Sequence, residues 1–321
     1  MSASVAADQR IRSLRGAKPQ VDPWRAHGAL VENERRPGGG VERAVTIFLA
    51  GSECPFTCSF CDLWRWTIDG PTPPGALPRQ LADSLRSVDG TPPRPDRLKL
   101  YNASNFFDRR AVPVEDLPEI ASLSAPFSAV TVESHASTVG KLTLELARLI
   151  PGRLEVAMGL ETIHPLASAQ LNQKLELTRF NRAVDYLGDN DIDLRVFVLL
   201  GAPYVPFEES VHWAVRTAAY AAERGASVAS IIPVRGGNGE IERLQALGHF
   251  TPPTLSQLEA ALDQCIAHGR GPGTTVFTAD LWDVNQLPAC EACRPTRVER
   301  LRQMNITGKA QQRVTCTVCG S

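Results

Sequence analysis

Short apolar runs alternate with amphipathic stretches through most of this chain. The apolar runs are continuous rather than alternating, which is typical of parallel strands that helices cover on both faces. Between them, apolar residues recur every three or four positions, as in helices that bury one face. The predicted strands are residues 44–51, 96–102, 127–134, 153–161, 193–201 and 227–234. The predicted helices are residues 77–88, 114–123, 138–150, 179–190, 207–225 and 254–269.

Six β-then-α units in strict order predict an α/β fold built on a parallel sheet. Periodicity alone does not separate an open sheet from a barrel. Residues 1–43 are polar and Arg-rich and contain Pro37-Gly38-Gly39-Gly40, so we expect an N-terminal arm or linker there. The alternation stops near residue 285. The predicted organisation is therefore an arm over residues 1–43, a βα domain over 44–284 and a cysteine-bearing tail over 285–321.

Composition narrows the class of protein. The 321 residues carry 34 Lys and Arg against 35 Asp and Glu, a net charge of −1, which argues against nucleic-acid binding by bulk charge. A hydrophobic content of 43% is that of a globular protein rather than a disordered one. The N-terminus has no apolar signal-peptide core, and no apolar run is long enough to span a membrane. We therefore expect a cytoplasmic protein.

Seven of the eight cysteines lie in two close groups, which favours metal binding or catalysis over a disulfide framework. The first group, Cys54, Cys58 and Cys61, has the spacing C-x3-C-x2-C directly after the first predicted strand. Three thiolates can hold three irons of a [4Fe-4S] cluster and leave the fourth iron open to chemistry. A zinc site with a distant fourth ligand is the alternative. Cys265, within a predicted helix, is expected to be a buried apolar side chain.

The cluster motif, with Phe60 directly before its third cysteine, resembles that of the radical S-adenosylmethionine (SAM) superfamily. This resemblance implies a partial (β/α)6 TIM-like barrel and a [4Fe-4S] cluster whose open iron is chelated by SAM. It also implies reductive cleavage of SAM to a 5′-deoxyadenosyl radical, which takes a hydrogen atom from the substrate. A low-potential electron donor, such as flavodoxin or ferredoxin, would supply the electron.

The resemblance further implies SAM contacts at the carboxyl ends of the strands. Many superfamily members have Gly-Gly-Glu after strand two, where this chain has Tyr101-Asn102-Ala103-Ser104-Asn105-Phe106, so hydrogen bonds from Asn and Ser would replace those of the motif. Carboxylates at strand ends would hold ribose hydroxyls, and an Arg would hold the SAM carboxylate. Structural ion pairs are the alternative for these charged residues. The predicted cofactor contacts are Phe60, Asn102, Ser104, Asn105, Ser134 and Arg195, and the predicted catalytic carboxylates are Glu133 and Glu161.

Within the superfamily, four stretches are similar to the radical SAM subunit of archaeosine synthase and its bacterial relatives. With the cluster loop they cover the predicted barrel from about residue 45 to 255, and they imply a modified tRNA nucleoside as a candidate substrate. A small metabolite or a peptide is the alternative. The stretches are NASNFFD (102–108), VESHAS (132–137), GLETIHPLASAQLNQ (159–173) and GNGEIERLQALGHFTPP (237–253).

The second cysteine group consists of two C-x2-C pairs separated by 22 residues, a spacing that predicts a closed four-thiolate site. Zinc and an auxiliary [4Fe-4S] cluster are both candidates for it. Six basic residues and one acidic residue between the pairs make the tail a candidate RNA-backbone contact, with an ordinary solvated surface as the alternative. The competing interpretation of the whole chain is a non-catalytic, metal-binding RNA-contact protein. The residues concerned are Cys290, Cys293, Cys316 and Cys319, with Arg294, Arg297, Arg300, Arg302, Lys309, Arg313 and Glu299.

Overall fold

The computed structural model describes residues 3–88, 93–269 and 275–320. One sheet of eight strands, hydrogen-bonded in chain order, curls into a half-barrel. The first strand runs antiparallel to the second, and the other neighbours are parallel. The strands are β1 (Gly28–Arg35), β2 (Val41–Phe48), β3 (Arg97–Tyr101), β4 (Ala129–Ser134), β5 (Arg153–Glu161), β6 (Asp193–Leu200), β7 (Val228–Pro233) and β8 (Val276–Ala279).

Helices follow the parallel strands and pack on the outer face of the sheet. All six predicted strands and all six predicted helices are present within a few residues of their expected bounds, which confirms the α/β partial barrel. The helices are α1 (Ala3–Ser13), α2 (Ala76–Val88), α3 (Leu117–Ser124), α4 (Lys141–Leu149), α5 (Pro165–Gln170), α6 (Leu177–Gly188), α7 (Ser210–Glu223), α8 (Glu240–Ala246), α9 (Leu255–His268) and α10 (Arg294–Thr307). No helix in the described part of the chain is both long and apolar enough to cross a membrane.

Alternation along the strands separates an apolar outer face from a polar interior. In β3, Leu98 and Leu100 are fully buried in the core beneath the helices, while Arg97 and Lys99, which alternate with them, take part in buried ion pairs. Cys265 is buried in the same core, as expected for an apolar side chain. Burial raises its thiol pKa to about 12, so it stays protonated at neutral pH.

The segment predicted as an N-terminal arm is not a linker. It contains α1, all of β1 and the start of β2. The glycine-rich stretch is the turn between these two strands, where Gly38, Gly39 and Gly40 have φ values of 80°, 106° and 81° that favour glycine. The Arg36 amide donates to the Gly40 carbonyl at 3.0 Å and closes the turn. The prediction missed β1 because most of its side chains are exposed, so it carries little apolar signal.

The C-terminal tail also contains an element that the cysteine pattern did not indicate. Helix α10 contacts both β1 and β8, the two outermost strands of the sheet. Its Asn305 amide pairs with the backbone of Ala279, accepting from the nitrogen and donating to the oxygen, each at 2.8 Å. Leu301 and Met304 are fully buried in the core. The helix therefore covers an edge strand that would otherwise expose unpaired backbone groups.

Candidate functional site

The first cysteine group lies on residues 54–61, here called the cluster loop, which follows β2 at the carboxyl end of the parallel strands. This is the end at which βα barrels place reactive groups. All three cysteines of the loop are half-buried. The loop supplies three thiols, one fewer than a closed four-thiolate site needs, and this number matches the three ligands of a [4Fe-4S] cluster with one open iron.

An asparagine from the β3 end connects the cluster loop to β4. The Asn105 amide nitrogen donates to Cys54 Sγ at 3.3 Å, and its oxygen accepts from the His135 backbone nitrogen at 2.7 Å. The side chain is buried. Asn105 was predicted to contact SAM, and in the structure its amide contacts the thiol of Cys54.

Two further asparagines fix the backbone of the cluster loop. Asn172, after β5, donates to the Thr57 carbonyl at 2.8 Å. Asn238, after β7, donates to the Ser59 carbonyl at 2.7 Å, while its oxygen accepts from the Ile241 nitrogen at 2.8 Å. The sequence interpretation gave neither residue a role. Both lie in stretches that resemble the archaeosine synthase subunit, and this resemblance is the sequence signal that could have identified them.

Helix α1 contacts the cluster loop through Asp8. Asp8 accepts from the Thr57 hydroxyl at 2.5 Å and from the Asn172 amide at 2.8 Å, and it pairs with Lys174. These partners outweigh the opposing effect of burial and lower the pKa of Asp8 to about 2. Ile11 on the same helix is 2% exposed. The N-terminal segment thus supports the loop that carries the three cysteines.

Burial also determines the protonation of the loop thiols. It raises the pKa of Cys54 to about 11 and that of Cys61 to about 12, and it raises the pKa of Cys58 well above the usual value. Thiolates form in such surroundings when a metal ion supplies the compensating positive charge. The donor set therefore fits a bound metal cluster.

Glu133 at the end of β4 shapes the polar turn after β3. Its Oε1 accepts from the backbone nitrogens of Asn102 at 2.7 Å and Ala103 at 2.8 Å. Ala103 has a φ of 54°, so the turn is tightly wound around the carboxylate. Burial raises the pKa of Glu133 to about 7 against the opposing effect of these amides. Glu133 holds the turn that presents Asn102 and Ser104.

Unpaired polar atoms mark the predicted SAM-binding surface. Both side-chain polar atoms of Asn102, together with the hydroxyl of Ser104, are buried without a hydrogen-bond partner in the described structure. Leaving such a group unpaired costs about 1–3 kcal/mol. Unpaired buried groups at the carboxyl ends of barrel strands are consistent with a polar ligand that satisfies them.

Glu161, predicted to act on the ligand, lies at the end of β5 with a φ of 65°. Its Oε1 accepts from the Gln173 amide at 3.2 Å. The carboxyl curls over Gly159, where an added Cβ would lie 2.0 Å from Glu161 Oε1. Burial raises the pKa of Glu161 to about 8, so it is largely protonated at neutral pH in the absence of a ligand.

Phe60 and Ser134 are two further residues that were predicted to contact the cofactor. Phe60 is half-buried and packs against the smaller apolar cluster near α8. Ser134 Oγ lies 2.6 Å from the hydroxyl of Thr138, so it already has a partner. Next to it, the His135 ring stacks on Phe56 of the cluster loop with centroids 4.1 Å apart, and burial lowers the His135 pKa to about 4. This contact joins the β4 end to the loop.

Arg195 is the predicted contact that the structure does not bring to this surface. It is the third residue of β6, near the amino end of the strand, whereas the cluster loop lies at the carboxyl ends. Its Nε donates to Glu155 at 2.9 Å, and Nη2 donates to Glu34 at 3.1 Å. Arg195 is therefore held in the buried ion pairs of the barrel interior, which was the alternative for this residue.

The second cysteine group forms a tight quartet at the C-terminus. The ligand atoms of Cys290, Cys293, Cys316 and Cys319 all lie within 4.8 Å of one another, and the Cys293 and Cys319 sulfurs are 3.9 Å apart. This confirms a candidate second metal site.

Basic side chains of the tail mostly have acidic partners. Arg294 pairs with Glu291 at 2.6 Å, and Arg300 pairs with Asp263 at 2.8 Å. Arg297 pairs with Glu259 at 2.5 Å. Arg302 and Arg313 also approach carboxylates, at 3.5 and 4.0 Å. An RNA-backbone contact through this tail stays a prediction, and it would have to compete with these ion pairs.

Comparisons with known proteins agree with the geometry of the fold. The archaeal Methanocaldococcus infernus Elp3 is similar over 75% of this chain and 60% of its own, with 10% identity and a TM-score of 0.53. A radical SAM methyltransferase from Sphaerobacter thermophilus is similar over 87% of this chain and 82% of its own, with 15% identity and a TM-score of 0.51. No family model and no curated protein matches the sequence. The chain thus has the fold of a radical SAM methyltransferase and of Elp3.

Proposed function

We propose that this chain is a radical SAM enzyme in which Cys54, Cys58 and Cys61 bind a [4Fe-4S] cluster. The observation that carries the proposal is the placement of three cysteines on the loop after β2, at the carboxyl ends of a half-barrel. The shared fold of the two solved relatives supports it. When bound, the cluster and SAM would supply one-electron cleavage of the SAM C5′–S bond and hydrogen-atom abstraction from a substrate.

The residues beside the cluster loop fit SAM, which carries amino, carboxylate and hydroxyl groups. Asn102 and Ser104 have three buried polar atoms available for hydrogen bonds to it. Glu161 would accept hydrogen bonds from the ribose hydroxyls, and Phe60 would pack against the ligand beside the third cysteine. Asn105 and Glu133 act as positioning residues, since one holds Cys54 and the other holds the turn that carries Asn102.

Ser134 and Arg195 are less well placed to contact SAM. The Ser134 hydroxyl is already paired with Thr138. The Arg195 guanidinium is paired with two carboxylates near the amino end of its strand. We therefore assign Ser134 a role in shaping the β4 end, and Arg195 a role in the buried charge network of the barrel.

Anaerobic reconstitution tests the proposal directly. The full chain, given iron, sulfide, SAM and a low-potential reductant such as reduced flavodoxin or ferredoxin, is expected to release 5′-deoxyadenosine. Cys58→Ala is expected to abolish this product and to lower the iron content. Cys265→Ala is the matched control, because it removes a thiol outside both cysteine groups and is expected to retain both. Iron content that is unchanged in Cys58→Ala, with no product from the wild type, would refute the proposal.

A modified tRNA nucleoside is the substrate class favoured by the resemblance of residues 102–108 and 159–173 to the archaeosine synthase subunit. Small metabolites and peptides are the competing classes. Deuterium transfer from labelled candidates into 5′-deoxyadenosine distinguishes them, since it reports the atom abstracted. Transfer from a labelled metabolite or peptide, and none from the nucleoside, would reject the tRNA assignment while leaving the enzyme class intact.

A further inference from the structure

The cysteine quartet has the dimensions of a site for one ion. In a tetrahedral site with zinc–sulfur bonds of about 2.3 Å, two sulfurs stand about 3.8 Å apart. The Cys293 and Cys319 sulfurs are 3.9 Å apart, and all four lie within 4.8 Å of one another. A [4Fe-4S] cluster would place each thiolate on a different iron and hold the four sulfurs farther apart. The geometry therefore favours a single ion over an auxiliary cluster.

The surroundings of the quartet fit a closed structural site. Four thiolates around one divalent ion carry a net charge of −2, and Arg297 Nε donates to Cys293 Sγ at 3.1 Å. The same guanidinium pairs with Glu259 of α9 at 2.5 Å, which fixes its orientation against the sulfur. Such outer hydrogen bonds stabilise and orient metal ligands. Four thiolates leave no open coordination position for catalysis.

The quartet joins the chain segments that flank α10. Cys290 and Cys293 directly precede the helix, and Cys316 and Cys319 follow it. Between these pairs, Asn305 pairs with the backbone of Ala279 at the β8 edge. An ion in the quartet thus restrains the helix that contacts both outermost strands of the half-barrel.

We infer that the quartet binds one zinc ion, which fixes α10 against the β8 edge. Zinc is the usual ion of closed four-thiolate sites with paired C-x2-C spacing. The inference does not depend on the proposed function, because its metal and its ligands are separate from the cluster loop.

Metal analysis of the full chain tests the identity of the ion. A variant with Cys54→Ala, Cys58→Ala and Cys61→Ala together is expected to contain about one zinc per chain and no cluster iron. Replacing zinc with cobalt(II) is expected to give the intense absorption of a tetrahedral thiolate site. Four irons with sulfide in the triple variant, one iron in place of zinc, or no stoichiometric metal would each overturn the inference.

Hydrogen exchange tests the structural role without a variant that fails to fold. Removal of zinc from the same triple variant by a chelator is expected to speed amide exchange at residues 276–280 and in α10. Residues 153–161 of β5, in the middle of the sheet, are the internal control and are expected to keep their protection. Unchanged exchange at 276–280 after complete zinc loss would refute the role of the ion in holding α10.

Discussion

The two cysteine groups use the same donor atom and differ in spacing and support. The three loop cysteines lie at the carboxyl ends of the parallel strands, while the quartet brings together the segments before and after α10, with its four sulfurs within 4.8 Å of one another. Three thiolates suit a cluster with an open iron, and a tight quartet suits a closed ion. The number of thiolates therefore separates the site proposed to be reactive from the site proposed to be structural.

The groups around the sulfurs differ in charge as well. Asn105 donates a neutral amide hydrogen bond to Cys54, and two carboxyls with raised pKa values, Glu133 and Glu161, lie at the neighbouring strand ends. The quartet instead has the cationic Arg297 on Cys293. A neutral site with unpaired polar atoms can accept a ligand, whereas the charge-paired quartet has its partners within the protein.

The largest expected effect comes from removing one group at a time. Replacing Cys54, Cys58 and Cys61 by Ala together is expected to abolish 5′-deoxyadenosine formation and remove about four irons per chain, with zinc content unchanged. Replacing Cys290 and Cys319 by Ser is expected to remove zinc and leave the iron of a reconstituted chain. Loss of both metals in either variant would show that the two sites are interdependent.

The pH dependence of stability tests whether Glu161, at the first site, is protonated in the folded chain. Its pKa is about 8 when folded against an ordinary value of 4.5, so the folded chain holds more protons between these pH values. Stability of the metal-free chain is therefore lost as pH rises through this window. Glu161→Gln removes that loss, and at pH 9 it is expected to be more stable than wild type by about 2–4 kcal/mol.

Urea unfolding of both proteins at pH 5 and pH 9 measures the difference. The gain from Glu161→Gln is expected at pH 9 and should shrink towards pH 5, where the wild-type carboxyl is protonated in the folded state. Glu208→Gln, a change at an exposed glutamate, is the matched control and should show no such dependence. An equal difference at both pH values would contradict the assigned protonation of Glu161.

Arg297 allows the charge pairing of the quartet to be tested. Arg297→Gln removes the cationic donor to Cys293 while the four thiols remain, and zinc affinity is expected to fall about 10- to 100-fold. Competition with a zinc chelator measures this change. Arg302→Gln is the control, since that exposed side chain pairs with Glu299 and touches no thiol. Equal zinc affinity in the two variants would show that Arg297 does not stabilise the site.

Most of the barrel could be predicted because its strands and helices bury apolar residues at regular spacing. Two strands that escaped prediction lack that signal, because β1 is largely exposed and β8 has only four residues. Helix α10 lies between the cysteine pairs, where six basic residues obscured its buried Val298, Leu301 and Met304. The strands that α10 contacts, β1 and β8, were themselves not predicted, so its packing partners could not be found from the sequence.

The candidate site was predictable in its sulfurs and less so in its supporting groups. Cysteine spacing is a local signal, so both groups could be found from the sequence. The contacts of Asn172 and Asn238 with the cluster loop join residues more than a hundred positions apart, and no local pattern reports them. The ion pair of Arg195 with Glu34 could not be found for the same reason, because Glu34 belongs to the strand that the sequence did not predict.

The smallest expected effects come from the asparagines that support each group. Asn238→Ala leaves the Ser59 carbonyl without its donor, and Asn305→Ala does the same at Ala279, each at an expected cost of about 1–3 kcal/mol. Because the two side chains support different groups, Asn238→Ala should speed the loss of iron from the reconstituted chain and leave zinc in place. Asn305→Ala should speed zinc transfer to a chelator and leave iron in place. If both variants released the same metal faster, the two cysteine groups would not be independently supported, and the contrast between them would rest on the number of their thiols alone.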